Sequence, residues 1–161
     1  MSQTSYEIDM NVAFEGMLAD SSQTKDVLSL NNKDSAVFIG KVVSKGTGED
    51  EIIHPAAAAD ITDVKKVRGL VLHSHALESQ AGSAEASFPQ NYSVPVLHKG
   101  RVWVKFEDAP SALVQPSVRY AGVGQKGAFV STPVGGETAL LPNSKVLYTA
   151  PGNLALIEID L

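Results

Sequence analysis

Four histidines are the residues of this sequence with the clearest capacity for chemistry: His54, His73, His75 and His98. If their segment is extended, His73 and His75 point both imidazole rings to the same side, because side chains alternate along a strand. Two imidazoles placed in this way can begin a zinc site, but no spacing in the sequence identifies a third ligand. A pair at a strand end facing solvent is far commoner, so we expect no metal site.

A second motif, at residues 122–127, matches the dinucleotide-binding pattern G-x-G-x-x-G by letter. That fingerprint requires a strand before the glycines and a helix after them. Here residues 128–131 have strand character and Pro133 follows. The glycines are therefore predicted to form a tight turn, and no nucleotide cofactor is expected.

The acidic run at residues 49–51 is as weak a candidate for a catalytic site as the histidines and the glycine motif. Paired carboxylates do acid–base work when burial or a neighbour separates their pKa values, and this run lies in a turn rich in glycine and threonine. The chain has no cysteine, which excludes a thiol nucleophile and thiolate metal ligands. The sequence therefore predicts a protein that is not an enzyme and that binds no cofactor.

Composition excludes other classes of partner. Thirteen basic residues against eighteen acidic ones give a net charge of −5, and no basic run offers a surface for nucleic acid. No apolar stretch approaches the roughly 20 residues that span a bilayer. The first residues lack the basic and apolar regions of a signal peptide, so we expect synthesis in a cytoplasm, with exit only inside a larger assembly.

After residue 35 the sequence has mainly β-strand character. The predicted strands cover residues 36–44, 67–73, 100–108, 118–120, 128–130, 144–149 and 154–161. Gly69 interrupts the second of these, which predicts a bulge or a close backbone approach. One short helix is predicted at residues 55–65, where a proline precedes four alanines. Short strands separated by turns are typical of an all-β sandwich or small barrel.

Residues 1–35 differ in composition from the β domain predicted at residues 36–161. They are rich in serine, aspartate, asparagine and glutamine, with an apolar island at residues 12–18. This composition is typical of an extended N-terminal arm with a short docking segment. The alternative is an edge strand that packs on its own domain.

Trp103 is the only tryptophan, and it lies on the polar side of the clearest strand. Alternation places Val102, Val104 and Phe106 on one face, and Trp103 on the other with Arg101 and Lys105. A large ring among charges is often an interface anchor, which makes Arg101, Trp103 and Lys105 a candidate contact with another subunit. The alternative is a half-buried ring covered by a loop of its own chain.

Taken together, several segments resemble the capsid decoration (structural cement) proteins of tailed bacteriophages. Their order and spacing carry the resemblance, and they lie at residues 13–21, 38–43, 46–47, 55–60, 68–71, 92, 95–104 and 155–161. The stretches at residues 74–90 and 110–116 have no recognised counterpart. The resemblance covers most of residues 12–161.

The resemblance implies a jelly-roll-like or related β domain without catalytic activity, which binds major capsid protein subunits on the outer surface of a virion. The protein would be made in the host bacterial cytoplasm and would self-associate, as a homo-trimer or alternatively a dimer. The arm would contact the capsid through its apolar side chains, which are Val12, Phe14, Met17 and Leu18.

Two rival classes remain at this level. A carbohydrate-binding β-sandwich would usually display several exposed aromatic rings on one face, and Trp103 stands alone in the sequence pattern. A small metal-dependent enzyme would have to use the histidine cluster. Neither rival has the support that the ordered segments give to the phage family.

Overall fold

A computed structural model describes residues 13–19, 25–74 and 86–161 of the chain. Residues 1–12, 20–24 and 75–85, which include parts of the predicted arm and of the stretch at 74–90, lie outside these ranges. The described residues are 47% strand and 4% helix, with the sheets in a barrel-like arrangement. The predicted all-β fold is confirmed.

Within the described ranges the chain forms twelve strands and one helix. In chain order these are β1 (Asp26–Asn32), β2 (Ala36–Phe38), β3 (Val42–Lys45), β4 (Glu51–Ile53), α1 (Ala58–Thr62), β5 (Val67–Val71), β6 (Ser87–Pro89), β7 (Ser93–Lys105), β8 (Ser117–Arg119), β9 (Phe129–Val130), β10 (Thr138–Leu140), β11 (Ser144–Ala150) and β12 (Leu154–Asp160).

The largest sheet has seven strands in the order β1-β4-β3-β5-β7-β12-β11. β1 also pairs with β7, so β1, β4, β3, β5 and β7 close into a ring. All pairings in this sheet are antiparallel except that of β1 with β4. Two smaller sheets, β10-β8-β9 and β2-β6, are separate from this sheet.

The central strands are buried on both faces, which gives the protein two hydrophobic clusters. Neighbouring residues on one strand belong to different clusters: Val42 and Val43 on β3, Leu70 and Val71 on β5, and Val96 and Leu97 on β7. Because side chains alternate across a strand, each such pair sends one side chain to each face. This explains why these strands appear in the sequence as continuous apolar runs and not as alternating ones.

β7 is the longest strand and positions the surface described below. Val102, Val104 and Phe106 are buried, as the alternation predicts. In β12, Ala155, Ile157 and Ile159 are buried in the same cluster, while Glu158 and Asp160 are exposed. The two strands pair along their length, from Lys105 opposite Leu154 to Lys99 opposite Asp160.

Two glycines, Gly40 and Gly69, determine how the observed strands compare with the predicted ones. The predicted strand 36–44 is divided into β2 and β3 by a turn at Gly40, whose φ of +75° is a conformation that favours glycine. At Gly69 the backbone approaches β7 so closely that a Cβ would lie 2.1 Å from the Leu97 carbonyl oxygen. The close approach predicted there is confirmed.

The helix is shorter than predicted, since α1 covers Ala58–Thr62 within the predicted range of 55–65. The Asp60 carboxylate accepts hydrogen bonds from the amides of Ala56 and Ala57, at 3.1 and 3.0 Å, which satisfies donors at the start of the helix. Ile61 is fully buried and joins the helix to the larger cluster. Ile61 is the one buried side chain of α1, which agrees with the short length of the helix.

Four strands were not predicted from the sequence: β1, β4, β6 and β10. β1 lies within residues 1–35, so the central sheet begins before residue 36. Its last residue, Asn32, is completely buried, and its side-chain amide donates to the carbonyls of Phe88 and Pro89 at 3.0 Å each. The same side chain accepts a hydrogen bond from the Asp34 amide, so a polar residue is accommodated inside the fold without an unmet hydrogen bond.

Candidate protein-binding surface

Residues 13–19, the described part of the apolar island, lie against the second half of β7. The Gly16 amide donates to the Trp103 carbonyl at 2.8 Å, and the Trp103 amide donates to the Met17 carbonyl at 2.9 Å. The Ala19 amide donates to the Arg101 carbonyl at 3.1 Å. The segment therefore covers a backbone edge of β7 in the manner of a short strand.

The same edge of β7 is covered further back by the end of β5. The Leu72 amide donates to the Pro95 carbonyl at 2.9 Å, and the next amide, that of His73, donates to the Gly16 carbonyl at 3.0 Å. Gly16 has a φ of +79°, and a Cβ there would lie 2.4 Å from Ile39 Cγ2. Only glycine fits this position, since both the conformation and the space exclude a side chain.

A buried ion pair fixes the segment to the domain. Lys41 Nζ lies 2.6 Å from Glu15 Oε1, and the Lys41 side chain is only 7% exposed. Glu15 packs over Gly40, where a Cβ would lie 2.2 Å from Glu15 Cγ. An ammonium group removed from water needs an anionic or hydrogen-bonding partner, and Glu15 supplies it from the N-terminal segment.

The predicted arm residues have different surroundings. Val12 lies outside the described residues. Phe14 is 47% exposed, and its ring meets that of His73 edge to face with 4.8 Å between centroids. Met17 is half-buried, and Leu18 packs against the larger hydrophobic cluster. Together with Leu72, these side chains line a shallow hollow of about 140 Å³.

Trp103 is half-buried and belongs to a row of apolar residues that crosses three strands. It lies opposite Leu156 of β12, and Leu156 lies opposite Tyr148 of β11. Directly paired residues share a face of the sheet, so the three side chains form one row, called here the outer row. Leu156 is 8% exposed in its centre, whereas Tyr148 is 66% exposed at its end.

The other two predicted interface residues flank the outer row. Arg101 Nε donates to Glu158 Oε2 at 2.8 Å, one rung from Trp103. Lys105 is exposed on the other side, opposite Leu154. The predicted grouping of Arg101, Trp103 and Lys105 on one face is therefore present, and the structure adds Leu156 and Tyr148. Their membership could not be predicted because it depends on strand register.

A second ionic cluster lies beneath the glycine-rich turn. The Arg119 guanidinium, 8% exposed, contacts Glu107 Oε2 and Glu137 Oε2 at 2.7 Å each. Hydrogen bonding to Glu107, with a smaller contribution from Glu137, raises the pKa of Arg119 against the opposing effect of burial. The cluster links β8 to the segments that follow β7 and precede β10. All three guanidinium nitrogens donate to a carboxylate, and this geometry suits a structural role.

Two of the four histidines considered for chemistry contact groups of the fold itself. His54 Nδ1 lies 2.7 Å from Asp34 Oδ2, and His98 Nδ1 lies 3.1 Å from the Arg68 carbonyl oxygen. His75 lies outside the described residues, so the conditional placement of its ring beside that of His73 falls outside them too. In the described part of the chain, no three histidine or acidic residues are grouped as a metal site.

The glycine motif at residues 122–127 forms a turn followed by β9, as predicted, with left-handed conformations at Gly122, Gly124 and Gly127. Space also restricts Gly122, because a Cβ there would lie 2.2 Å from Glu137 Oε2. The turn thus fits against the ionic cluster. Across residues 13–19, 25–74 and 86–161, no helix has the length and apolar character to span a membrane.

Comparison with known proteins gives a matching family and solved structures with a similar fold. The model of the family described as "Structural cement protein (E217 gp24/Pam3 gp6)" matches residues 2–160. A chain from the solved structure titled "The capsid of Myoviridae Phage XM1" has the same fold, with a TM-score of 0.72 at 12% sequence identity. The alignment covers 99% of this chain and 97% of that one. No curated protein sequence matches the chain.

Proposed function

Because this chain belongs to the structural cement protein family of phages, we propose that it binds the outside of a phage capsid and joins neighbouring major capsid protein subunits. It acts there as a binding protein without catalysis or cofactor, after synthesis in the cytoplasm of the host bacterium. Copies also associate with one another around a symmetry axis, as a homo-trimer or a dimer.

The observation that carries this proposal is the apolar surface along β7 and its neighbours. Two exposed apolar sites make up this surface: Phe14, 47% exposed in the docked N-terminal segment, and the outer row, in which Trp103 is half-buried and Tyr148 is 66% exposed. Large aromatic side chains in partly desolvated positions are the residues that most often dominate the energy of protein interfaces. The flanking pair of Arg101 and Glu158 supplies the polar rim that commonly surrounds the apolar core of a protein interface.

The N-terminal segment contributes to this surface from a docked position. Leu18 and Glu15 hold the segment on the domain, and Phe14 and Met17 are then the side chains left to face a partner. Val12 precedes them and is proposed to extend the same contact. A docked segment has already met part of its ordering cost, which is about 1–2 kcal/mol per residue for backbone alone. Preorganisation of this kind favours tight binding.

The alternative of a carbohydrate-binding sandwich gains less support. Trp103 and Tyr148 share a face, but Leu156 separates them and Trp103 is half-buried. Sugar-binding platforms depend on freely accessible rings. Membership of a structural capsid family favours the capsid function.

The test is decoration of capsids that lack the protein. Wild-type protein is added, and the temperature at which the capsids break is measured beside the amount bound. We expect Phe14→Ser and Trp103→Ala to lower the amount of protein bound and the temperature at which the capsids break. Loss of a central anchor should weaken the affinity for capsids about tenfold or more. Val64→Ser is the matched control, because Val64 is 48% exposed but lies in the turn after α1.

Equal binding and equal stabilisation by Phe14→Ser, Trp103→Ala and wild type would overturn the proposed surface. Thermal unfolding of each purified variant accompanies the assay, since Trp103→Ala removes a half-buried ring. A variant with an unchanged unfolding temperature and weaker decoration identifies a contact, whereas a parallel loss of both identifies a packing role.

A further inference from the structure

The face of the sheet that displays the outer row carries an excess of positive charge. Directly paired residues of β7, β12 and β11 share this face and form rungs across it. The two rungs beside the outer row, one on each side, are Arg101–Glu158–Lys145 and Lys105–Leu154–Ala150. Three cations and one carboxylate therefore lie within one rung of the row, which is a formal charge of +2 on a chain of net charge −5.

The rest of the chain has the opposite sign. Since the whole chain carries −5 and these two rungs carry +2, the residues outside them carry −7. The next rung along β7 and β12 is neutral, because Lys99 Nζ lies 3.2 Å from Asp160 Oδ2. The positive excess therefore surrounds the outer row on a protein that is negative overall.

Two of the three cations are available to a partner. Arg101 Nε donates to Glu158 Oε2 at 2.8 Å, so that carboxylate already has a cation. Lys105 and Lys145 are both exposed, and in the described part of the chain neither belongs to an ion pair. An exposed lysine can rest its methylene stem on an apolar surface while its ammonium group reaches a charged group outside.

The two unpaired lysines lie on opposite sides of the outer row. Lys105 is on β7, one rung to one side, and Lys145 is on β11, one rung to the other. The spacings of residues and strands in a sheet put their Cα atoms about 16 Å apart, which about five residues of extended chain span. The line between them crosses Leu156, the centre of the outer row.

We propose that this face binds an acidic segment of the major capsid protein, in which two carboxylates flank an apolar side chain. The apolar side chain packs on Leu156 between Trp103 and Tyr148. The carboxylates pair with Lys105 and Lys145 at the two ends of the contact. A basic segment would be repelled by the same cations, so charge complementarity selects an acidic partner.

This inference rests on the proposed function and adds the chemistry of the partner to it. Apolar contact alone predicts binding that salt hardly weakens, because screening acts on charges. Charges at the rim of an interface instead act on encounter, so they make binding faster and sensitive to salt. Salt dependence and the sign of each charge change therefore separate an acidic partner from an uncharged one.

The first experiment measures the affinity of the full-length protein for capsids that lack it, at about 0.05 M and about 0.5 M salt. Wild-type binding should weaken about tenfold or more at the higher salt. Lys105→Glu and Lys145→Glu should each weaken binding about tenfold at low salt and much less at high salt. Lys65→Glu is the matched control, because Lys65 is exposed in the turn after α1 and the change in charge is the same.

Glu158→Gln provides a test with the opposite sign. It removes the one carboxylate in the two rungs beside the row, so Arg101 also becomes available to an acidic partner. Binding at low salt should tighten about threefold, within the range of a single exposed charge pair. A substitution that acted only by disturbing the sheet would not tighten binding.

The second experiment identifies the partner groups directly. A carbodiimide joins a lysine amine to a carboxylate in direct contact and leaves no spacer between them. Decorated capsids treated in this way and analysed by mass spectrometry should contain Lys105 or Lys145 joined to an Asp or Glu of the major capsid protein.

Several results would overturn the inference alone. They are decoration independent of salt, equal binding by Lys145→Glu and Lys65→Glu, no tightening by Glu158→Gln, or cross-links of both lysines only within this chain. Duplex DNA that binds the free protein as tightly as capsids do, with the same loss in Lys145→Glu, would assign the face to nucleic acid and also overturn it. Failure to decorate capsids at either salt concentration would overturn the proposed function, and this inference with it.

Discussion

Arg119 keeps its charge inside the fold through hydrogen bonds to two glutamates. Both Glu107 and Glu137 remain partly exposed, at 29% and 38% of their side chains, so water shares in their solvation. The guanidinium itself is 8% exposed and depends on them. The arrangement joins three segments that a short sheet such as β10-β8-β9 could not hold by backbone pairing alone.

Replacement of Arg119 by methionine should lower the free energy of unfolding by about 2–4 kcal/mol, because two carboxylates lose their common partner. Partial solvation of both carboxylates limits this cost. Arg101→Met is the matched control, since Arg101 and Glu158 are 36% and 48% exposed. It should cost no more than about 1 kcal/mol. Urea unfolding of both variants at neutral pH measures the difference, and equal losses would refute the structural role given to Arg119.

Single residues also show what the sequence could not provide. The pattern around Trp103 correctly grouped it with Arg101 and Lys105, because alternation along one strand depends only on local order. Leu156 and Tyr148 join them through register between strands that are distant in sequence. Register depends on the complete sheet, so cross-strand neighbours stay hidden until the sheet is known.

Among the elements, the segment at residues 13–19 is held chiefly by one ion pair and a short run of backbone hydrogen bonds. Glu15→Leu would leave the Lys41 ammonium buried without its partner, at a cost of about 2–4 kcal/mol unless the segment detaches. The double variant Glu15→Leu with Lys41→Met also removes the unpaired ammonium group. We expect the double variant to recover most of the lost stability, and chemical unfolding of the two single variants and the double variant measures the coupling.

A double variant no more stable than Glu15→Leu would show that the segment is held by its backbone bonds and apolar contacts, and that the ion pair contributes little. A coupling energy well above about 1 kcal/mol would exceed the value typical of exposed pairs and confirm a buried one.

Elements with strong patterns were predictable, and those that depend on partners were not. β12 and the second half of β7 were predicted as strands, and the face of β7 predicted to be buried is buried. β1 contains polar residues and ends in asparagines, which resembles a loop or arm until its pairing with β7 and β4 is known. Residues 13–19, the described part of the apolar island, contact β7 of their own chain through backbone hydrogen bonds that no local pattern in the sequence indicates.

At the scale of the whole molecule, the two hydrophobic clusters share β3, β5 and β7. A disturbance of either cluster therefore acts on strands that support the other. This sharing predicts a single cooperative unfolding transition for the described β domain, although its clusters lie on opposite faces.

Phe129→Ala removes a fully buried ring from the larger cluster, and Phe88→Ala removes a 4% exposed ring from the smaller one. Each should lower stability by about 3–5 kcal/mol, the usual cost of such a cavity. Calorimetry should show one transition at a lower temperature in both variants, with equal calorimetric and van't Hoff enthalpies. Two separated transitions in either variant would show that the clusters unfold independently.

The docking of residues 13–19 along β7 affects how the free protein resists aggregation. Exposed strand edges offer free N–H and C=O groups to any extended chain, and long open edges lead proteins into fibres. Here Gly16, Met17 and Ala19 occupy those groups of Arg101 and Trp103 within the same molecule. If the protein acts on capsids as proposed, many copies are required at once, and an edge whose hydrogen bonds are already made allows them to accumulate without fibre growth from this strand.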